Sequence, residues 1–296
     1  EEETGRGAEA AGVKPAQPAP DDSLHDKASD TEERPVMEPV PQPPLTGDVQ
    51  RHELWCESLQ RSIPIHLRLP AGYRDSQERY PVIYMFDGHN LFLDSEATYG
   101  KSWNLDAFLG QYDKPFIIVG LECDHRGNSR LNEYAPWDNP RTPMGPIEGK
   151  GELLFDWIIR ELKPVIDQNY RTWPQREATA VAGSSMGGLM AYYGVLKHND
   201  VFSKAAALSP SLFLYPGPLH ELINSADLNP DTRLYMSMGS TELRRNRRRI
   251  WQLLQGFSKP LNRKGIMTHI NYVKGGRHDE ASWEKESPEW FDFLWK

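Results

Sequence analysis

The segment 183–188, Gly-Ser-Ser-Met-Gly-Gly, contains the strongest chemical signal in the chain. It matches the pattern Gly-x-Ser-x-Gly, in which a central serine, here Ser185, sits on a sharp turn between a strand and a helix. The flanking glycines suit such a turn because a Cβ there would collide with the opposing chain. Apolar residues 178–182 favour a strand before the motif, and residues 189–196 favour a helix after it. The sequence predicts Ser185 as a nucleophile; the alternative is a glycine-rich turn without a catalytic role.

A serine hydroxyl needs a base before it can attack, and His278 is the candidate for that base. His278 ends the segment 275–278, Gly-Gly-Arg-His, which follows the last predicted strand and precedes the final predicted helix. In parallel sheets, ligand crevices form at the carboxyl ends of the strands, and glycines allow a loop to turn back toward such a crevice. The alternative interpretation of His278 is a solvated loop histidine.

The third member of a serine triad is a carboxylate that accepts the second imidazole N–H and fixes the tautomer of the ring. Glu242 is the best candidate because it follows a predicted strand and a glycine, between the serine and the histidine in chain order. Its alternative role is that of an acidic residue in the first turn of a helix predicted at 243–256. Asp227, Asp231 and Asp279 remain alternative carboxylates.

Two backbone N–H groups are expected to bind the oxyanion that develops during acyl transfer. One belongs to Met186, the residue after the nucleophile, at the start of the following helix. The second is expected in the loop after the predicted strand 81–86, where Gly88 permits a close backbone approach and His89 offers its N–H. No histidine pair shows the spacing of a metal-binding motif, so neither a metal nor a cofactor is predicted.

Alternating strands and helices must position these groups. Strands are predicted at 53–59, 63–69, 81–86, 115–121, 178–183, 204–208, 233–238 and 267–273, and helices at 151–168, 187–198, 243–256 and 282–295. Pro164 is expected to kink the first of these helices or to end its regular part. The alternation predicts an α/β fold with a mainly parallel central sheet flanked by helices.

Composition divides the chain into two parts. Residues 1–49 have no aromatic residue, eight prolines, and four basic against twelve acidic side chains, which predicts a disordered acidic tail or linker. Residues 50–296 are predicted to form the enzyme domain, and their charges balance, which argues against binding to nucleic acid or to an anionic membrane. No apolar run approaches the length of a membrane span. The two cysteines, Cys56 and Cys123, are expected to be buried free thiols.

Four segments together resemble one group of esterases with the α/β-hydrolase fold; they lie at 80–92, 183–188, 239–242 and 275–283. The group includes the feruloyl and acetyl-xylan esterases of carbohydrate esterase family 1, esterase D and the enterochelin esterases. The resemblance covers residues 52–296 and implies serine esterase chemistry with Ser185, His278 and Glu242 as the triad. The feruloyl esterases usually carry aspartate where this chain has Glu242.

The predicted reaction is a two-step acyl transfer on a carbohydrate ester, a siderophore ester or another small ester. An acyltransferase or peptidase with the same triad, and a non-catalytic carbohydrate-binding relative, are the alternatives. Loops 89–104 and 122–150 are expected to form the substrate pocket, since they lie at the carboxyl edge of the sheet; the candidate pocket residues are Asn90, Trp103, Arg130, Glu133, Tyr134 and Trp137. Their aromatic rings can stack on a sugar or a phenolic acyl group, or they can pack beneath a long loop.

Overall fold

The computed structural model describes residues 45–296, which build a central sheet of eight strands. The strands are β1 (Asp48–Cys56), β2 (Arg61–Leu69), β3 (Val82–Phe86), β4 (Ile117–Leu121), β5 (Thr179–Ser184), β6 (Lys204–Leu208), β7 (Arg233–Gly239) and β8 (Met267–Val273). Every residue of β3, β4 and β5 is buried, as expected of strands that are covered on both faces.

The strands lie in the order β1-β2-β4-β3-β5-β6-β7-β8. β1 pairs antiparallel with β2, and β2 pairs antiparallel with β4. All pairs from β4 to β8 are parallel, so their carboxyl ends meet at one edge of the sheet. The predicted α/β class with a mainly parallel sheet is therefore confirmed.

Helices cover both faces of the sheet, and the sheet separates the buried apolar side chains into two clusters. They are α1 (Leu105–Leu109), α2 (Ser129–Glu133), α3 (Gly151–Trp157), α4 (Lys163–Asn169), α5 (Met186–Lys197), α6 (Pro216–Ser225), α7 (Arg247–Arg263), α8 (Glu280–Glu284) and α9 (Ser287–Trp295). Helices α3 to α7 contribute to one cluster, and α1 and α9 contribute to the other. In the described residues, no helix has the length and apolar character that a membrane span needs.

The structure divides two of the predicted helices, and it also contains helices that were not predicted. The helix predicted at 151–168 contains a π-helical turn, Ile158–Leu162, directly before Pro164. Proline has no N–H for the carbonyl four residues earlier, and the wider turn accommodates this loss. The helix predicted at 282–295 is divided into α8 and α9, and Pro288 lies in the first turn of α9, where a proline needs no N–H partner. Helix α6 was not predicted, since its first three residues are Pro-Gly-Pro.

Helix α7 begins four residues later than predicted, at Arg247. Leu243, Arg244 and Arg245 all have positive φ angles, between 45° and 59°, which no regular helix contains. Asn246 then caps α7, because its side chain accepts a hydrogen bond from the Arg249 N–H. The arginine run therefore starts in an irregular turn and continues along an exposed helix face.

Strand β1 begins at Asp48, inside the segment 1–49 that the sequence predicted as a tail; residues 1–44 of that segment lie outside the described residues. The backbone N–H groups of Thr46 and Gly47 donate to the Asp106 carboxylate. This carboxylate also accepts from the Arg68 guanidinium at 2.6 Å, and both side chains are buried. The buried ion pair thus fixes the chain just before β1.

Candidate active site

Ser185 occupies the turn between β5 and α5 with a strained backbone. Its φ of 57° and ψ of −118° are rare for a residue with a side chain. The Ser185 N–H donates to the Leu208 carbonyl at 3.0 Å, which holds the turn against β6. A Cβ on Gly183 would lie 2.7 Å from the carbonyl carbon of Gly187, so the turn requires glycine at position 183. The predicted strand–turn–helix geometry is present.

His278 lies beside Ser185, in the loop between β8 and α8. Its Nε2 is 2.9 Å from the Ser185 Oγ. The loop approaches the end of β7 so closely that a Cβ on Gly239 would lie 2.4 Å from the carbonyl oxygen of Gly276. The imidazole also meets the Trp283 ring edge to face, with 5.2 Å between ring centres. The backbones of Gly239 and Gly276 therefore pack directly on each other, and this contact places the His278 imidazole beside Ser185.

Glu242 completes a continuous chain of hydrogen bonds. The His278 Nδ1 lies 2.7 Å from the Glu242 Oε2. The other carboxylate oxygen accepts from the Gly239 N–H and from the Ser209 hydroxyl, each at 2.7 Å. The Ser209 oxygen in turn accepts from the Trp283 indole N–H at 3.0 Å. Three direct partners, one of them held by Trp283, thus fix the orientation of a carboxylate that is almost fully buried.

The other candidate carboxylates lie elsewhere. Asp227 and Asp231 both lie in the connection before β7, at the opposite edge of the sheet from Ser185, and Asp231 forms an ion pair with Arg176. Asp279 caps α8 through the Ser282 N–H and binds the neighbouring Arg277. The geometry therefore favours Glu242 among the four carboxylates.

The two predicted oxyanion donors belong to the turns that follow β5 and β3. Met186 is the first residue of α5, and His89 lies in a short turn after β3. Within residues 45–296, neither backbone N–H donates to a protein acceptor. A Cβ on Gly88 would lie 2.6 Å from the carbonyl carbon of Gly120, so glycine is needed for the close approach of this turn to β4.

A cavity of about 470 Å³ opens over Ser185 and His278. Most of the residues that line it have polar or charged side chains; the lining residues are Asp87, His89, Asn90, Thr98, Tyr99, Cys123, Asp124, His125, Gly127, Arg130, Ser184, Ser185, His278, Glu280 and Trp283. Ten of these fifteen residues lie in the connections that follow β3 and β4. Their position at the carboxyl ends of two neighbouring parallel strands was the signal in the sequence that could have identified them.

Of the six predicted pocket residues, Asn90 and Arg130 line this cavity. The prediction was wrong for Trp103 and Glu133. Trp103 is buried in the apolar cluster between the sheet and α9, where its ring lies 5.9 Å from that of Trp283. Glu133 is also buried, and Arg61 holds its carboxylate with two hydrogen bonds, of 2.6 and 2.8 Å.

Tyr134 and Trp137 were also wrongly placed in the pocket. The Tyr134 ring is buried against Phe86, and its hydroxyl accepts from the Asp87 N–H. Trp137 packs edge to face on Tyr193, with 5.2 Å between ring centres. These aromatic residues pack beneath the long loop 122–150, which was the alternative interpretation, because apolar rings are buried more favourably there than in a polar cavity.

Charge in the cavity is largely paired. Arg130 binds Asp87 through two hydrogen bonds of 2.7 Å each. Burial opposes ionisation of Asp87, but the Arg130 guanidinium outweighs it and keeps the pKa of Asp87 below its ordinary value. Burial and the charge of Asp87 raise the pKa of Glu280, which accepts a hydrogen bond from the Asn90 amide. Burial lowers the pKa of His89, which favours its neutral form.

One group of residues at the site was missed by the sequence analysis. A ring nitrogen of His89, the Cys123 Sγ and a ring nitrogen of His125 all lie within 4.8 Å of one another. Cys123 and Cys56 are buried free thiols, as predicted. His89 follows β3, while Cys123 and His125 follow the adjacent β4, so the distance between them in the chain concealed their proximity.

The curated relatives of this chain include several esterases and one uncharacterised protein. The uncharacterised protein YbbA of Bacillus subtilis is 28% identical over 181 residues, which are 60% of this chain and 67% of YbbA. The endo-1,4-beta-xylanase/feruloyl esterase of Xylanibacter ruminicola is 28% identical over 177 residues, which are 57% of this chain and 22% of the relative. The chain thus spans two thirds of the first relative and about a fifth of the second.

A solved structure with a similar fold is named as a serine hydrolase. An IroE-like serine hydrolase from Shewanella oneidensis superposes with a TM-score of 0.67 and 25% sequence identity, over 83% of this chain and 79% of that one. This likeness confirms the α/β-hydrolase fold. The family described as "Putative esterase" matches residues 56–290, and relatives that are named esterases support carboxylic ester hydrolase activity. The chain belongs to this esterase family.

Proposed function

We propose that this protein hydrolyses carboxylic esters by transferring the acyl group to Ser185, with His278 as general base and acid and Glu242 as the orienting carboxylate. The observation that carries the proposal is the unbroken path Ser185 Oγ–His278 Nε2 (2.9 Å) and His278 Nδ1–Glu242 Oε2 (2.7 Å), on a strained strand–helix turn. Distances in this range allow proton transfer between a nucleophile and its base.

The first step forms a bond between the Ser185 oxygen and the ester carbonyl carbon, while the hydroxyl proton moves to the His278 Nε2. The tetrahedral intermediate then collapses, and the imidazolium returns the proton to the departing alcohol. Water attacks the acyl-enzyme in the second step, with His278 again as the base, and releases the acid. Glu242 stays ionised and stabilises the imidazolium in both steps.

The N–H groups of Met186 and His89 are the proposed oxyanion donors. Neither has a protein acceptor within residues 45–296, so both are available to the developing negative charge. Loss of one such donor typically costs about 2.7–4 kcal/mol of transition-state stabilisation. Helix α5 adds the positive end of its dipole at the same place.

The proposed substrate is a small ester with polar groups, such as an acylated sugar or a phenolic acid ester. The cavity wall presents carboxylates, imidazoles and amides rather than the continuous apolar surface that a long acyl chain needs. Hydroxyl groups can exchange hydrogen bonds with Asn90, Asp124 and Glu280 along this wall. The feruloyl esterase among the curated relatives supports the same substrate class.

A panel of acetyl, butyryl, octanoyl, feruloyl and catecholate-type esters tests this proposal, with the Ser185→Ala variant as the blank. We expect turnover of the short and polar esters to exceed that of the octanoyl ester. The Ser185→Ala variant should lose on the order of 10⁴-fold or more of kcat. Undiminished hydrolysis by the variant would contradict the assignment of Ser185, and a preference for octanoyl esters would contradict the substrate class.

A further inference from the structure

We propose that His89, Cys123 and His125 form a binding site for a zinc-class divalent cation in the wall of the active-site cavity. One ligand atom from each residue lies within 4.8 Å of the other two. The same three side chains line the cavity that contains Ser185. The site therefore lies beside the proposed nucleophile but shares no side chain with the proposed triad.

The ligand set selects the class of metal. A thiolate with two imidazoles suits Zn²⁺, Co²⁺ and related borderline ions, whereas Mg²⁺ and Ca²⁺ prefer oxygen ligands. Zinc–nitrogen and zinc–sulfur bond lengths place tetrahedral ligand atoms roughly 3.3–3.6 Å apart. The ligand atoms that are furthest apart would thus need to approach each other by up to about 1.5 Å. The exposed side chain of His125 on its loop allows this movement.

His89 provides an independent indication of a ligand. Its Nε2 lies 2.8 Å from the Thr98 hydroxyl, which leaves Nδ1 as the free ring nitrogen. This Nδ1 is buried and has no hydrogen-bond partner in the described part of the chain, and the residue is only 6% exposed. An unpaired buried polar atom is costly, and a bound cation would remove that cost.

His125 is held in the arrangement that is common among metal-ligating histidines. Its Nε2 lies 2.9 Å from the Glu122 Oε1, and its Nδ1 lies 3.9 Å from the Cys123 Sγ. A carboxylate on the outer nitrogen fixes the tautomer and leaves the inner nitrogen free for a metal. The second Glu122 oxygen lies 2.6 Å from the His66 Nε2, which anchors the carboxylate to β2.

The cavity provides both an entry path and a fourth ligand position. Cys123 is 2% exposed, but it faces the same open cavity as His125. Binding transfers the Cys123 thiol proton to solvent and forms a metal–sulfur bond. With three protein ligands, a tetrahedral ion keeps one position for water. A hydrated ion there occupies part of the space that a substrate needs, so the bound metal should inhibit competitively; this consequence rests on the proposed function.

Cobalt titration tests the site without any measurement of activity. The metal-free protein should bind one Co²⁺ per chain and develop thiolate-to-cobalt charge-transfer absorption together with the intense visible bands of tetrahedral Co²⁺. Cys123→Ser should abolish the charge-transfer absorption. His125→Gln should weaken binding by more than the roughly 10–100-fold that is typical when only a partner of a ligand is lost, because it removes a ligand itself. The matched controls Cys56→Ser and His220→Gln should keep the wild-type spectrum and affinity. His125→Gln changes an exposed side chain, so it tests the site even where Cys123→Ser fails to fold.

Two results would overturn the proposed site: no charge-transfer absorption in wild-type protein with excess Co²⁺, or the same absorption in Cys123→Ser. For the functional consequence, Zn²⁺ should raise KM for a small ester and leave kcat unchanged in wild type, with no such effect in His125→Gln. Zinc bound at this site with unchanged KM would overturn its placement beside the nucleophile. Cobalt binding by a protein without esterase activity would instead overturn the proposed function and support the metal site.

Discussion

Replacing Glu242 with glutamine should inactivate the enzyme without unfolding it. The two side chains have the same shape, so the buried position is filled in both proteins. The hydrogen-bond pattern, however, differs between them. The Glu242 Oε1 accepts from the Gly239 N–H, which can only donate, while Oε2 accepts from the His278 Nδ1. An amide has only one acceptor oxygen, so it can satisfy Gly239 or His278 but not both.

The lower-energy choice places the amide oxygen at Gly239 and the NH₂ group at His278. The imidazole then accepts at Nδ1 and carries its proton on Nε2, where it cannot take the proton of Ser185. In the opposite orientation, the amide oxygen accepts from the His278 Nδ1, as catalysis requires. The Gly239 N–H and the amide NH₂ then face each other as unsatisfied buried donors, which costs about 1–3 kcal/mol each. A total of about 2–6 kcal/mol predicts a loss of kcat between about 30-fold and about 10⁴-fold.

Steady-state kinetics on a small ester, together with a thermal unfolding midpoint, measure this effect. Glu289→Gln is the matched control, because Glu289 also binds a histidine, His269 at 2.8 Å, on the protein surface. We expect the control to retain wild-type kcat. If Glu242→Gln kept more than about a thirtieth of wild-type kcat with an unchanged unfolding midpoint, the reasoning about the tautomer would be wrong.

Three further predictions follow from the packing around the site. Gly239→Ala should lower kcat by on the order of 10²-fold, because its Cβ would push away the loop that carries the histidine, whereas Gly217→Ala, with no atom within 4 Å, should not. Asp106→Ala should reduce the free energy of unfolding in urea by about 3–5 kcal/mol, because it leaves the Arg68 charge buried and unpaired. Glu286→Gln should stabilise the protein by about 3 kcal/mol at pH 8 and by less than about 1 kcal/mol at pH 5.

The sign of the last prediction follows from burial, which raises the pKa of Glu286 from 4.5 to about 7. Between these two values, the folded protein keeps a proton that the unfolded chain releases, so wild-type stability falls as the pH rises. Equal effects of Glu286→Gln at both pH values would contradict this linkage. Equal kcat losses in both glycine variants, or wild-type stability in Asp106→Ala, would contradict the other two predictions.

The elements and the grouping of Ser185, His278 and Glu242 were predictable because each depends on a local pattern. Apolar runs marked the buried strands, and the glycines around Ser185 and His278 marked turns whose backbone has no room for a Cβ. Chain order along parallel strands then indicated which loops meet at one edge. The bounds of β6 and β8 agree with the sequence prediction residue by residue.

The pocket and the supporting contacts were less predictable because they depend on packing across the fold. Nothing in the sequence around Ser209 indicates that its hydroxyl bonds to a carboxylate 33 residues later. Trp103 and Trp137 lie in loops at the carboxyl edge of the sheet, yet both rings pack toward the protein interior. Burying an indole ring is favourable, and the position of a residue in a loop does not determine where its side chain points. The grouping of Cys123 with His89 likewise depends on the pairing of β3 with β4.

Trapping the acyl-enzyme tests the central claim most directly. The protein is mixed with a slowly deacylating ester, quenched in acid within one turnover, and digested, and the peptide that contains Ser185 is weighed by mass spectrometry. We expect one acyl group per chain on Ser185, and none in His278→Ala or Ser185→Ala on the same time scale. An acyl group on another residue, or ester hydrolysis in which Ser185 is never acylated, would contradict the mechanism.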